Sequence, residues 1–108
     1  MSKRQILLIC GSGASSGFLA SKIRKAAVKR GLDYDVFARS EADLENNIDL
    51  IDCVMVGPHL KYQVAGIEER VKGTPIKVAL LDKSYYSLLD GEAALDHICS
   101  VLNIQTQH

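Results

Sequence analysis

Near the amino terminus the chain carries four consecutive aliphatic residues, Ile6-Leu7-Leu8-Ile9, followed at once by Cys10 and Gly11. A strand with one face in water alternates apolar and polar side chains. One that is apolar at every position must be covered on both faces, as in a parallel sheet flanked by helices. The rest of the chain supplies those helices. From Phe18 to Arg30, Phe18, Leu19, Ile23, Ala26 and Ala27 recur at helical spacing, Lys22, Arg24, Lys25 and Lys29 take the opposite side, and Gly31 supplies a stop. Tyr34 to Ala38 reads as a second strand, and Ser40-Glu41-Ala42-Asp43 as a capping box opening a short helix that fails near Asn46-Asn47. A third strand, Asp52 to Val56, ends at Gly57-Pro58, and a third helix from Tyr62 to Val71 closes at Gly73. Ile76 to Leu81 is the fourth strand, and Gly91 to Leu102 the last helix, with Ala94, Leu95, Ile98, Cys99 and Leu102 on one stripe. Strand and helix alternate with connections too long for hairpins. The expected fold is therefore α/β, a small four-stranded parallel sheet with right-handed crossovers and helices on both faces.

At 108 residues the chain is read as a single domain, 1–108, able to bury a core without disulfides or metal. Its 13 basic and 13 acidic residues balance, and no Lys/Arg run marks a nucleic-acid or anionic-membrane surface. No apolar stretch approaches the roughly 18 residues of a membrane span, so a cytoplasmic location is expected. The three cysteines, at 10, 53 and 99, form neither a C-x-x-C pair nor a zinc-spaced cluster. Cys53, within a strand, and Cys99, on an apolar stripe, are expected to pack in the core.

Open parallel sheets bind ligands beyond the carboxyl ends of their strands. The loop after the first strand, Cys10-Gly11-Ser12-Gly13-Ala14-Ser15-Ser16-Gly17, places a thiol before small residues and a helix start. Backbone N–H groups there can converge on an anion and the helix dipole adds to the attraction, which favours a thiolate and makes Cys10 a nucleophile candidate. The same cradle suits a phosphoryl group bonded to sulfur. Dinucleotide and NTP motifs fail, because the glycines stand at 11, 13 and 17 and no Lys follows Gly17. A cysteine phosphatase carries an Arg six positions after its Cys, where this chain has Ser16. Asp82, ending strand four, keeps a low-molecular-weight phosphatase or arsenate reductase open as an alternative, acting as general acid or else merely capping nearby N–H groups. A non-catalytic regulatory module, with Cys10 incidental, is the remaining alternative.

Three loops on the same sheet edge carry a resemblance. With the cysteine loop, Val56-Gly57-Pro58-His59-Leu60-Lys61-Tyr62 is similar to a Gly-Pro-Gln-Ile-x-Tyr segment, and Asp82-Lys83-Ser84-Tyr85-Tyr86-Ser87-Leu88-Leu89-Asp90-Gly91 to an Asp-x-x-x-Tyr-Gly-x-x-Asp-Gly segment. Both belong to the enzyme IIB component of the lactose/cellobiose (N,N'-diacetylchitobiose) type of phosphoenolpyruvate-dependent sugar phosphotransferase system, which nearly the whole chain resembles. The resemblance implies a flavodoxin-like three-layer sandwich with strand order 2-1-3-4. It also implies that Cys10 accepts a phosphoryl group from a phosphohistidine of the IIA component. The group would pass to a sugar, expected to be a β-linked disaccharide, bound by the membrane component IIC. Gly11, Ser12, Gly13, Ala14, Ser15, Ser16 and Gly17 would wrap the phosphoryl oxygens, with no metal or organic cofactor. Gly11, Ser12, Ala14, Ser16 and Gly17 depart from the more frequent Ser-Ala-Gly-Met-Ser-Thr-Ser loop, while Gly13 and Ser15 keep it. His59 replaces a usual Gln and Ser87 a usual Gly. Pro58, His59, Tyr62, Asp82, Tyr86 and Asp90 are candidates for the rim or for partner contacts. Tyr86 and Asp90 serve equally well as a packed ring and a helix N-cap. Phe18, Leu60 and Tyr62 are candidates for the docking face.

Overall fold

The computed structural model describes residues 4–9 and 14–106, without the side chains of 14–16, 41 and 103–106. Strands β1 (Arg4–Ile9), β2 (Tyr34–Arg39), β3 (Cys53–Val56) and β4 (Lys77–Leu80) alternate with helices α1 (Ala14–Lys29), α2 (Leu44–Asn47), α3 (Val64–Arg70), α4 (Lys83–Leu88) and α5 (Gly91–Thr106). Single 3₁₀ segments precede α2 (Glu41–Asp43) and α3 (Pro58–Gln63). The strands form one parallel sheet in the order β2-β1-β3-β4, as the resemblance implies. β1 is central, pairing Ile6 to Ile9 with Val36 to Arg39 on one side and with Cys53 to Val56 on the other.

All four side chains from Ile6 to Ile9 are fully buried, and they alternate between two cores. Ile6 and Leu8 join Val36, Cys53 and Met55 under Leu19, Ile23, Ala26 and Ala27 of α1 and Leu95 and Ile98 of α5. Leu7 and Ile9 join Val54 and Val56 against Leu44 of α2 and Ile67 of α3. The three layers thus follow from the doubly apolar strand.

Gly31, at φ 74°, ends the first helical segment in the left-handed conformation. Its N–H donates to the Val28 carbonyl at 3.0 Å, and that of Leu32 to Ala27 at 2.8 Å. Beside this stop, Arg30 bonds Glu92 at 2.8 Å and Asp96 at 2.6 Å, tying the end of α1 to α5. Arg70 pairs with Glu45 across the other layer. On the edge strand β2, the Arg24 guanidinium donates to the Val36 carbonyl at 2.5 Å.

The structure corrects three local expectations. α1 begins at Ala14 rather than Phe18, so the second half of the Gly/Ser segment is helical. The segment expected as a helix from Tyr62 to Val71 starts instead with 3₁₀ geometry at Pro58 and becomes α-helical at Val64. The stretch after strand four contains an additional helix, α4, where no helix was expected.

Gly91 is the tightest glycine contact among those described. A Cβ there would lie 2.6 Å from both the carbonyl carbon and the oxygen of Lys22, so α5 can start against the α1 backbone only without a side chain. Gly91→Ala is expected to cost about 1–3 kcal/mol, because backbone must shift. Gly66→Ala in α3, with nothing within 4 Å of the added Cβ, is expected to be neutral or mildly stabilising. Urea denaturation of the two variants beside the parent checks both expectations.

Candidate functional site

The carboxyl ends of the three consecutive strands β1, β3 and β4 are joined one residue beyond the ladder. The Gly57 N–H donates to the Ile9 carbonyl at 2.9 Å and the Leu81 N–H to the Val56 carbonyl at 2.7 Å. The loops after β1, β3 and β4 therefore leave one edge side by side, and Cys10 follows Ile9 directly in sequence. Cys10, Gly11, Ser12 and Gly13 lie outside the described residues, as do the side chains of Ala14, Ser15 and Ser16. Gly17, in the first turns of α1, is exposed.

After β3, Pro58 opens the 3₁₀ segment at a position where a missing N–H costs nothing. The Leu60 N–H donates to the Gly57 carbonyl at 2.9 Å. Leu60 is only 8% exposed and anchors this turn in the core, so it is removed from the expected docking face. Phe18 and Tyr62 are 65% and 74% exposed and stay available there. Gln63, which sequence reasoning passed over, keeps a buried Oε1 without a hydrogen-bond partner among the described residues. Nothing in its residue type or spacing signals this.

After β4, Asp82 is the N-cap of α4. Its Oδ1 accepts from the Ser84 N–H at 2.9 Å and from the Ser84 hydroxyl at 3.0 Å. The backbone bond first, and the hydroxyl bond second, hold the carboxyl below the ordinary Asp value. A carboxyl kept ionised in this way is a poor general acid, so the capping role is the one the geometry supports. Asp90 also caps, accepting from the Ala93 N–H at 3.2 Å, after Leu89 reverses the chain at φ 52°.

The adjacent tyrosines diverge. Tyr85 is buried, its hydroxyl 2.5 Å from Nδ1 of His97, and burial raises its pKa above the ordinary phenol value. Tyr86 is half-buried, with its ring centroid 5.8 Å from that of His59 at an interplanar angle of 46°. Pro58, His59 and Tyr86 thereby meet, with Lys83 and Ser87, around a surface cavity of about 250 Å³. Tyr62, Asp82 and Asp90 do not line it. Lys83 and Ser87 belong to quoted segments, but only the helical geometry of α4 brings their side chains to this cavity.

The two described cysteines follow expectation. Cys53 is fully buried, and burial, with the Asp52 charge second, pushes its thiol up to about 12. Cys99 is half-buried with Sγ 3.7 Å from the Tyr34 hydroxyl. Tyr34 is itself pushed up to about 12, by burial first and its bond to Cys99 second. Among the described residues no His/Cys/Asp/Glu group could hold a metal ion, and no helix is long and apolar enough to cross a membrane.

Residues 5–97 match the family described as the lactose/cellobiose-specific IIB subunit of the PTS system. The chain belongs to this family. The IIB relatives include a galactose-specific EIIB component of Lactococcus lactis subsp. cremoris (strain MG1363), 26% identical over 95% of this chain and 100% of its own length. They also include a cellobiose-specific EIIB component of Lactococcus lactis subsp. lactis (strain IL1403), with the same identity and coverage. An oligo-beta-mannoside-specific EIIB component of Bacillus subtilis (strain 168) is 24% identical over 92% of this chain and 96% of its own. Among solved structures, the cellobiose-specific IIB component of Borrelia burgdorferi superposes with a TM-score of 0.75 at 27% identity, covering 96% of this chain and 95% of its own. The lactose-specific IIB domain of Streptococcus pneumoniae superposes with a TM-score of 0.79 at 15% identity, covering 93% and 98%, and supports the fold. This chain is therefore a IIB-type component of a sugar phosphotransferase system with the flavodoxin-like fold of that family.

Two outcomes are expected. Because folding lowers the Asp82 pKa, its cap contributes fully above the ordinary carboxylate pKa and fades as pH falls through the folded-state value. Asp82→Ala should thus lower the thermal midpoint at neutral pH and converge on the parent in acid. Iodoacetamide at neutral pH should leave Cys53 unmodified in the native protein and alkylate it once urea exposes it, as peptide mapping would show.

Proposed function

We propose that this IIB subunit is a phosphocysteine carrier with Cys10 as its nucleophile. The reading rests above all on one placement. Cys10 follows a central strand whose last four side chains are fully buried and whose last carbonyl already holds the Gly57 N–H, and a 16-residue helix starts at Ala14. The positive end of that helix and the backbone N–H groups of residues 11–17 favour a thiolate and then the phosphoryl oxygens.

In the accepting step the Cys10 thiolate attacks phosphorus of a phosphohistidine on IIA. The S–P bond forms, the N–P bond breaks, and the imidazole nitrogen leaves with the electron pair. In the donating step a hydroxyl of the sugar bound by membrane IIC attacks the same phosphorus. The S–P bond breaks, the thiolate leaves, and the hydroxyl proton passes to solvent or a base on IIC. In-line transfer of this kind needs positioning more than acid-base assistance, and the thiolate serves as both acceptor and leaving group. The activity is that of a protein-N(pi)-phosphohistidine–sugar phosphotransferase IIB component, with a β-linked disaccharide as the sugar and no metal or organic cofactor. The protein works in the cytoplasm and meets the inner face of the membrane through IIC. Exposed Phe18 and Tyr62 offer apolar contact for IIA and IIC in turn, each through a small, transient interface.

The phosphatase reading loses its acid in Asp82, whose oxygen is engaged by Ser84. Incubation with phosphoenolpyruvate, enzyme I, HPr and the cognate IIA is expected to add one phosphoryl mass to the wild type and none to Cys10→Ser by intact-protein mass spectrometry. Equal labelling of the two proteins, or steady turnover of an aryl phosphate or arsenate by the wild type, would refute the carrier role.

A further inference from the structure

The parallel sheet ends at β2 on one side and β4 on the other, and β2 is the longer of these edges, six residues against four. The Arg4 N–H donates to the Asp33 carbonyl at 3.0 Å, so Asp33, Asp35, Phe37 and Arg39 turn their main-chain groups toward β1. Tyr34, Val36 and Ala38 turn theirs outward, where no further strand receives them. Guanidinium groups occupy two of these three outward carbonyls. Arg24 of α1 donates to the Val36 carbonyl at 2.5 Å. Arg39 folds back to the Ala38 carbonyl at 2.8 Å, its guanidinium carbon 5.3 Å from the centre of the Phe37 ring. Charge-assisted bonds of this kind are stronger than those between neutral groups. Val36 is wholly buried in spite of its place at the edge. An edge of this length with its carbonyls bare is a template for another strand.

The charges along β2 define what that strand would be. When two β2 strands run antiparallel about a two-fold axis at Val36, Val36 faces its own copy and Tyr34 faces Ala38, so the outward N–H and C=O groups of all three exchange bonds. The same register sets Asp33 opposite Arg39 of the second copy at both ends of the ladder. Both residues are exposed. They fall at non-hydrogen-bonded pairs, where facing side chains approach most closely and opposite charges attract. The contact uses the same surface on both copies and closes at two. We infer that the β2 edge is a pairing surface for a second copy of this chain, held shut by Arg24 and Arg39. Opening it requires Arg24 to leave the carbonyl that lies on the axis, and it releases Arg39 from Ala38 to meet Asp33 of the other copy. The inference is independent of the carrier reading and of the loop after β1.

The test is analytical ultracentrifugation of the full chain from micromolar to millimolar concentration, with circular dichroism recording the fold of each variant. The parent is expected to keep the mass of one copy throughout. Arg24→Met, which keeps a helix-favouring side chain but loses the donor, should approach twice that mass as concentration rises, and Arg24→Ala should do the same. Lys25→Met, at the next exposed cation of α1, should stay at one copy. Adding Asp33→Arg to Arg24→Met sets like charges against each other at both ends of the ladder and should return the protein to one copy. Adding Arg39→Asp to that pair restores opposite charges and should bring the doubling back. Folded Arg24→Met and Arg24→Ala proteins that both remain single, or association of Arg24→Met that Asp33→Arg leaves unchanged, would overturn the inference. A parent that is already doubled and becomes single with Asp33→Arg would overturn it too, because the arginines would then not hold the edge shut.

Discussion

The structure depends on the complete burial of four consecutive side chains of the central strand. Ile6, Leu7, Leu8 and Ile9 are each inaccessible to solvent and point alternately into two separate cores. Burying each such side chain is worth about 1.5–3 kcal/mol, so leaving either face of β1 uncovered would forfeit a large share of a small domain's stability. Two helical layers are therefore obligatory, and parallel pairing on both sides of β1 follows from the crossovers that the helices make. The same arrangement gathers the carboxyl ends of β1, β3 and β4 at one edge. The position of the cysteine loop is thus a consequence of the core.

Around that edge, the polar residues divide between holding the fold and facing outward. Asp82 and Asp90 each receive a backbone N–H at the start of a helix, which fixes where α4 and α5 begin. Tyr85 turns inward to His97, and its neighbour Tyr86 turns toward His59. Gly91 then lets α5 start in contact with the α1 backbone. These local devices set the orientation of α4, and α4 in turn carries Lys83 and Ser87 to the cavity that Pro58 and His59 share. A capped, ionised Asp82 and a loop without arginine remove the two features on which a phosphatase would rely.

The edge presents one small surface cavity and exposed Phe18 and Tyr62 among the described residues. That suits the proposed carrier role, because an acceptor must approach phosphorus in line and leave again. Zero formal net charge fits the same task, since strong global fields would favour one long-lived complex.

Much of this was legible in the amino-acid sequence. The doubly apolar run at Ile6–Ile9 determined an α/β fold with helices on both faces, Gly31 marked the end of α1, and the alternating runs located all four strands. A cysteine directly after the first of these pointed to the candidate site, and the three loop segments pointed to the family. What the sequence left undetermined came from contacts between distant segments. Helix α4 is short and has weak periodicity, and it is stabilised by the Asp82 cap and by Tyr85 packing into the first core. The turn from Pro58 becomes 3₁₀ because Leu60 must reach the core over a proline-initiated start. The meeting of His59 with Lys83, Tyr86 and Ser87 was decided only by tertiary structure. Periodicity reports which face of an element is buried, whereas the juxtaposition of exposed polar side chains depends on how two loops emerge from neighbouring strands.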